Sequence, residues 1–336
     1  MNERLLWVDA PDGPSAECVF SHGERVAFLK RYGEHPMAFS ALQPGMSYFD
    51  MPGVGYIAYA RHWGVDFVLA DPVCEPQRIE EMISAFAVRH PHALYIQVGD
   101  AVAEILRRRY GYYATQFGYE SKVTLRDWDL RGSKKQIIRT ALNQAKAQGV
   151  EVHEGRCEKK TREISEAWIR TRKCSRNEIR FLVRPMLMDY TEGTRYFYAY
   201  RGDEALGFVH FDPIYRDGKV VAYAPNISRA SAAFKQGLWY PMMVHAMDVF
   251  KAEGIEYMDM GLIPLLLAEE AETRESKILR IVLTAMRNWG NSLYNFKGLA
   301  FAKSRFQGRF VKTYACHRYP MPAVSMLAMF RLMRLI

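Results

Sequence analysis

The sequence predicts an α/β (α+β) protein: a mixed sheet with helices on its faces, an arrangement used twice along the chain. Two observations carry this. Each half reads strands, helix, strand, helix, strand in the same order, with no self-similarity of sequence behind it. A length of 336 residues, 49% hydrophobic and 25% charged, is that of a folded protein with room for two domains.

The first half opens on a helix over residues 22–32. Alternating, aromatic-rich runs at 46–50, 55–61 and 66–70 predict strands. Pro76 starts a helix through residue 89, 93–98 is a strand, and Asp100 is placed to cap a helix through residue 109. Two strands, 112–117 and 120–126, complete the set. In the second half, helices are expected over 134–148, stopped by Gly149, over 161–173 and over 180–190. Strands follow at 195–200, 205–211 and 219–224, the last two joined through Asp217-Gly218. A long helix, 236–252, a buried strand, 255–260, a helix, 275–289, and a final strand from 293–296 end the pattern. The division implied is a first domain over 1–130, a second over 131–320 and a tail over 321–336.

Charge is placed rather than spread. Residues 276–336 hold eleven Lys and Arg and no Asp or Glu; residues 130–180 hold fourteen against six Glu. Together these stretches exceed the chain's net charge of +9, so the remainder is acidic. Such concentration points to a polyanion or an anionic surface as partner. The tail mixes Met, Leu, Phe and Ile with Arg331 and Arg334. As a helix it suits an anionic bilayer interface, or packing on the body or a second subunit.

The five Cys show neither CxxC nor zinc-like Cys/His spacing, which predicts free thiols in a reducing compartment and no metal site. No apolar signal run opens the chain, and no segment reaches the roughly 18 apolar residues of a membrane span. The expectation is a cytoplasmic protein, peripheral on the inner membrane face if the tail touches lipid.

Four segments carry candidate chemistry. Residues 225–237 hold Asn226, Ser228, Arg229, Ser231, Lys235 and Gly237 before a helix, a setting for phosphate or carboxylate, with a polar capped loop as the alternative. They form neither a dinucleotide fingerprint nor a nucleoside-triphosphate loop. Asp259 ends the 255–260 strand, where it could hold an ammonium group or take a proton, or be tied to the following loop. Tyr294 and Lys297 lead to Lys303, Arg305, Arg309 and Lys312, aromatics and cations suited to a phosphate backbone. Lys134, Lys135 and Arg139 sit at a helix start, where cations oppose the dipole unless a ligand or carboxylates offset them. No nucleophile elbow and no triad spacing is present.

Read together, these segments resemble a known family. Ala70-Asp71-Pro72-Val73, Phe117-Gly118-Tyr119-Glu120, residues 130–135, residues 138–143, Gly149, residues 258–265, residues 294–299, and Lys303, Arg305 and Phe306 stand in the order seen in the catalytic region of phosphatidylglycerol lysyltransferases, the aminoacyl-phosphatidylglycerol synthases. The resemblance runs through most of the chain. It implies two tandem acetyltransferase-like (GNAT-like) domains, with most of the reaction centre in the second. It also implies transfer of an amino acid from aminoacyl-tRNA, as co-substrate in place of a cofactor, to an acceptor hydroxyl or amine such as phosphatidylglycerol. By resemblance Arg229 falls on a family Arg, Asn226 on a family Asp, and Asp259 where the lipid enzymes often have Asn. An amide cannot take a proton as a carboxylate can. The roles implied are Arg229 on the tRNA terminal phosphate or the reacting carbonyl, Asp259 on the amino acid's ammonium, and Asn226 on the acceptor or the oxyanion. Lys297, Lys303 and Arg305 would take the acceptor stem, with Lys134, Lys135 and Arg139 extending that track. Two rivals stay open at this point: an acyl-CoA-dependent N-acyltransferase on the same fold, and a non-catalytic RNA- or membrane-binding protein.

Overall fold

The computed structural model of the chain describes residues 19–171, 178–186, 192–231, 235, 237–270, 274–289 and 295–335. Helix α1 (His22–Tyr32) starts at Ser21, whose hydroxyl accepts from the Glu24 N–H while the Glu24 carboxylate accepts from the Ser21 N–H. Strands β1 (Ser47–Met51), β2 (Gly55–His62), β3 (Val65–Leu69) and β4 (Val73–Cys74) follow, then α2 (Ile79–Arg89), β5 (Leu94–Val98), α3 (Asp100–Tyr110) and β6 (Tyr113–Thr124). Next come α4 (Gln136–Ala147), β7 (Val150–Glu154), α5 (Glu158–Arg170), β8 (Arg195–Arg201), β9 (Glu204–Arg216) and β10 (Lys219–Ala230). The chain closes with α6 (Trp239–Ala252), β11 (Tyr257–Pro264), α7 (Lys277–Trp289), α8 (Phe296–Ser304), β12 (Arg309–His317) and α9 (Ala323–Leu332).

The strands form one mixed sheet in the order β1-β2-β3-β5-β12-β6-β11-β10-β9-β8-β7, with β4 paired to β2. The predicted class is the observed one. β12, last in sequence, lies hydrogen-bonded between β5 and β6, so the chain's end locks strands laid down far earlier. Alternation divides the core between the faces. Ile57 and Tyr59 of β2 pack with α2, while Tyr56, Ala58 and Ala60 pack with α1 and α9. In the second half, Phe197, Phe211 and Tyr223 pack with Met243, Met247 and Phe250 of α6.

The site depends on where β10 and β11 part. They pair in parallel only at Ala222–Tyr257 and Tyr223–Met258. From Asp259 on, β11 stays with β6, while β10 follows β9 out to Ala230. Irregularities in both strands, between Pro225 and Ile227 and between Asp259 and Leu262, bend them away from each other. The result is a wedge in mid-sheet whose facing backbone edges no ladder joins. Gly261, at φ +72°, has the left-handed backbone that this bend requires.

Several expectations need correction. The predicted loop from residue 225 is strand as far as Ala230, because β9 offers partners down to Gly207; Asn226 and Arg229 are therefore strand residues, and the helix starts only at Trp239. Residues 120–124 are not a separate strand but part of the continuous β6, which ends at Thr124. Residues 178–186 are not helical. Phe181 has φ +75°, and the Gln43 side chain both donates to its carbonyl and accepts from its N–H, replacing the bonds a helix would make. The rest of the predicted 180–190 helix lies outside the described residues. Asp100 is inside α3; the cap position is Gly99, whose N–H is bound by the Asp71 carboxylate. Of the strand expected at 293–296, residues 293 and 294 lie outside the described residues, and Phe296 instead opens α8, because the Asn295 side chain accepts from Gly298 N–H and caps a helix there.

The tail packs on the body. Ala328, Leu332 and Met333 are buried against β2 and β3, and the Leu332 carbonyl accepts from Arg180 Nε at 2.9 Å. Leu332→Ala should therefore lower the unfolding free energy by about 2–5 kcal/mol, read from the midpoint of urea denaturation; an unchanged midpoint would mean that α9 is not part of the core.

Candidate functional site

Two groups of buried polar side chains flank the wedge. On the β11 lip, Asp259 is fully buried. Its Oδ1 accepts from Gly261 N–H at 2.7 Å, and its Oδ2 has no hydrogen-bond partner among the described residues. Lys303, carried in by α8, is buried and donates to the Leu262 carbonyl at 2.8 Å, covering one edge that the parted ladder leaves open. A Cβ at Gly261 would stand 3.4 Å from Lys303 Nζ and 3.9 Å from the Pro225 carbonyl, so the lysine head lies close to both lips. Glu120 of β6 accepts from Gln97 Nε2 at 3.0 Å, and His35 Nε2 is 3.8 Å from it. Lys122 lies opposite Asp259 in the ladder.

Burial sets the electrostatics here. It pushes Glu120 up to about 8, with the Asp259 charge adding to the rise and the Gln97 hydrogen bond opposing it. It raises Asp259 as well, against Lys122, the Gly261 N–H and Lys303. It lowers Lys303 to about 8, against the pull of Asp259 and Glu120. His35 is lowered by burial and held neutral. Glu120 and Lys303 are thus brought to similar proton affinities, beside a second carboxyl, Asp259, that burial also raises.

On the β10 lip, the Asp212 carboxylate is gripped by Arg184 through Nε at 3.0 and 2.9 Å and Nη2 at 2.6 Å, with both residues almost wholly buried. Asn226 Nδ2 donates to Asp212 Oδ2 at 2.5 Å and to Ser40 Oγ at 2.8 Å. Both amide hydrogens are therefore in use, and the oxyanion-donor role read for Asn226 is not open in this arrangement; its carbonyl oxygen is the end left to hold an acceptor. Arg229 is buried, stacks its guanidinium 5.1 Å from the Trp168 ring, and donates through Nη2 to Glu178 at 2.8 and 2.5 Å. Among the described residues its Nη1 has no hydrogen-bond partner. Beside it, His210 is fully buried with both ring nitrogens unsatisfied, wedged between the Tyr196 and Phe208 rings at 4.5 and 4.6 Å. Burial, then the Arg184 and Arg229 charges, hold that imidazole well below its ordinary range. Buried polar atoms left unsatisfied are costly, and their concentration on one lip marks a place built to receive a polar group.

The structure thus brings Asn226, Arg229, Asp259 and Lys303 to the wedge. It does not bring the other expected residues there. Lys303 is not a surface phosphate contact but part of the buried group. Lys135 donates to the Asp129 carbonyl and lies 4.8 Å from the Trp128 ring, and Arg139 donates to the Leu130 and Gly132 carbonyls; both hold the turn before α4. Lys134, Ser231, Lys235 and Lys297 are exposed, and Arg305 packs 4.3 Å from the Phe301 ring. Tyr294 lies outside the described residues. Sequence reasoning gave no role to Glu120, Arg184, Asp212 or Glu178. The signal for one was present: His210 and Asp212 stand two apart in the apolar run of β9, facing one side of a buried strand, where a charged residue needs a reason.

Comparison with known proteins places this geometry. A family model described as phosphatidylglycerol lysyltransferase, C-terminal, matches residues 26–317. An uncharacterized protein of Corynebacterium glutamicum is 23% identical over 313 residues, 88% of this chain, which spans 39% of that relative's length. Among solved structures, L-PGS from Bacillus licheniformis superimposes with a TM-score of 0.76 at 19% identity, over 94% of this chain and 97% of that one. The C-terminal domain of a candidate lysylphosphatidylglycerol synthetase from Agrobacterium fabrum gives 0.76 at 17%, over 93% and 96%. At these identities the likeness to solved structures is one of fold alone.

The raised Glu120 carboxyl has a consequence for stability. Unfolded, it titrates near 4.5; folded, near about 8. Between those values the folded protein keeps a proton that the unfolded chain releases, so this contribution to stability is full below about 4.5 and is lost as pH rises through about 8. Glu120→Gln should flatten the fall, becoming the more stable protein at pH 8 to 9 relative to wild type, with the difference shrinking toward pH 5 in unfolding curves across that range. Parallel curves at all pH values would refute the burial of an ionisable group there.

Proposed function

This chain belongs to the phosphatidylglycerol lysyltransferase C-terminal family, and we propose that it moves an aminoacyl group from aminoacyl-tRNA to the hydroxyl of phosphatidylglycerol, at the inner membrane face. The observation that carries the reading is the wedge between β10 and β11, with a proton-exchanging group, Glu120, Asp259 and Lys303, on one side and the arginine-rich lip on the other.

The donor ester is already activated, so alignment, proton removal and charge stabilisation are the remaining tasks. The acceptor hydroxyl oxygen attacks the ester carbonyl. A carbon–oxygen bond forms there, and the bond to the terminal ribose oxygen of the tRNA breaks. The hydroxyl proton goes to the ionised form of Glu120, which is reached as pH rises toward about 8, and Glu120 later returns it to the departing ribose oxygen. Asp259, with an unsatisfied Oδ2, takes the aminoacyl ammonium. Asn226 holds the acceptor through its carbonyl oxygen. The Glu178 carboxylate now on Arg229 stands where an anionic group of a substrate would sit: the tRNA terminal phosphate or the developing oxyanion. On the surface, Lys297 and Arg305, with Lys134 beyond them, supply phosphate contacts for the acceptor stem. The two-domain division, 1–130 and 131–320, belongs to the same proposal, with most of the reaction centre in the second.

Two measurements test this. Arg229→Ala should lower transfer of radiolabelled amino acid from charged tRNA to phosphatidylglycerol by about 100-fold without loss of fold. Unchanged turnover removes Arg229 from the site, and transfer from acyl-CoA instead of charged tRNA overturns the donor. Lys297→Ala combined with Arg305→Ala should weaken tRNA binding and lower its salt slope by about one unit per lost contact; a wild-type slope discards the surface track.

A further inference from the structure

The outward face of α9 differs from its buried side in a directed way. Ala328, Leu332 and Met333 are buried in the core, while Val324, Leu327 and Arg331 are exposed on the adjoining helical stripe, with Arg334 just past its end. Val324 is 70% exposed and Leu327 45%. The surface continues beyond the helix. Trp63, 54% exposed at the β2–β3 turn, has the Arg331 guanidinium 5.9 Å from its ring. Tyr319, 60% exposed, stacks on His92. A cleft lined by Gly64, His92, Arg318, Tyr319, Pro322 and Ser325 joins the turn to the helix start. Aliphatic, aromatic and guanidinium groups therefore share one continuous face.

Its charge is of one sign. No Asp or Glu occurs from Ser276 to Ile336. Among the described residues, Arg331 and Arg334 have no carboxylate partner, and Asp66 on the adjoining β3 is engaged by Arg61 and His90. We infer that this face docks on an anionic lipid bilayer, with Val324 and Leu327 entering the interface, Trp63 and Tyr319 at headgroup level, and Arg331 and Arg334 on lipid phosphates. A second copy of the chain would bring the same arginines against each other, and a nucleic acid would leave the aliphatic groups in water. An anionic bilayer satisfies both kinds of group at once. The docked face also reaches the wedge through the chain: Leu332 is bound by Arg180, in the segment that carries Glu178 to Arg229 and Arg184 to Asp212. The inference does not depend on the transfer chemistry and is tested without it.

The experiment is sedimentation of the full chain with vesicles of equal parts phosphatidylglycerol and phosphatidylcholine, or of phosphatidylcholine alone. Wild type should bind the anionic vesicles at least about tenfold more tightly, less so as salt rises. Val324→Glu combined with Leu327→Glu should weaken binding about 10- to 100-fold. Arg331→Ala should weaken it about fivefold. Val88→Glu, at an 82% exposed position of α2 on the other face of the sheet, should leave it unchanged, and circular dichroism should confirm all the folds. Failure of wild type to sediment, or equal sedimentation of the double glutamate variant, overturns the inference. So does a dimer that the double variant disperses while vesicles are ignored, or a tRNA complex that only the double variant loses.

Discussion

The arrangement rests on one conflict of pairing. β11 lies beside β10 for two residues and beside β6 for its full length. A strand that continued with both would close the sheet. Because β10 is bent outward with β9 and β11 stays with β6, two backbone edges open toward each other. Backbone groups in such an opening need partners from side chains or ligand. Lys303 supplies one, and the rest of the opening is the room in which a substrate can lie.

That opening sits where charge is expensive. Asp259, Glu120 and Lys303 are buried together, and the environment answers by moving each toward its neutral form. A core selected for stability alone would fill this position with apolar side chains. Retaining two carboxyls and an amine, with one carboxylate oxygen unsatisfied, fits a site whose occupant completes it. The left-handed Gln97, at φ +57°, which holds Glu120, is local strain of the kind that persists where surrounding contacts over-determine it.

The opposite lip is organised by Asp212. Its carboxylate binds Arg184 and Asn226, and so fixes the irregular 178–186 segment over the sheet. That segment brings Glu178 to Arg229 and is tied at Arg180 to the last turn of α9. One non-helical stretch thereby connects the core, the charged lip and the surface face of the tail. Its shape owes more to three side-chain contacts than to any propensity of its own.

Much of this was written in the order of residues. Periodicity gave the mixed sheet with helices on its faces, the Asp217-Gly218 hairpin and most helix ends, because those signals are local: alternation, caps and glycine stops lie within a few residues of what they control. Motif order marked Arg229, Asn226 and Asp259 as residues of one site and set Lys303 apart among the cations for the acceptor stem. What the sequence could not contain was the company they keep. Lys303 reads as one more surface cation in an acid-free stretch, yet it is buried because α8 lies on β11. Asn226 reads as loop, yet it is strand because β9 reaches it. Glu120 and Asp259 become neighbours only because β6 and β11, about 140 positions apart, lie side by side, and Arg184 and Asp212 join them only through the order β11-β10-β9. Composition and spacing determined the elements and the sign of the surface. Burial and the parting of two strands, which depend on contacts distant in sequence, decided which charges face the opening and which proton each can hold.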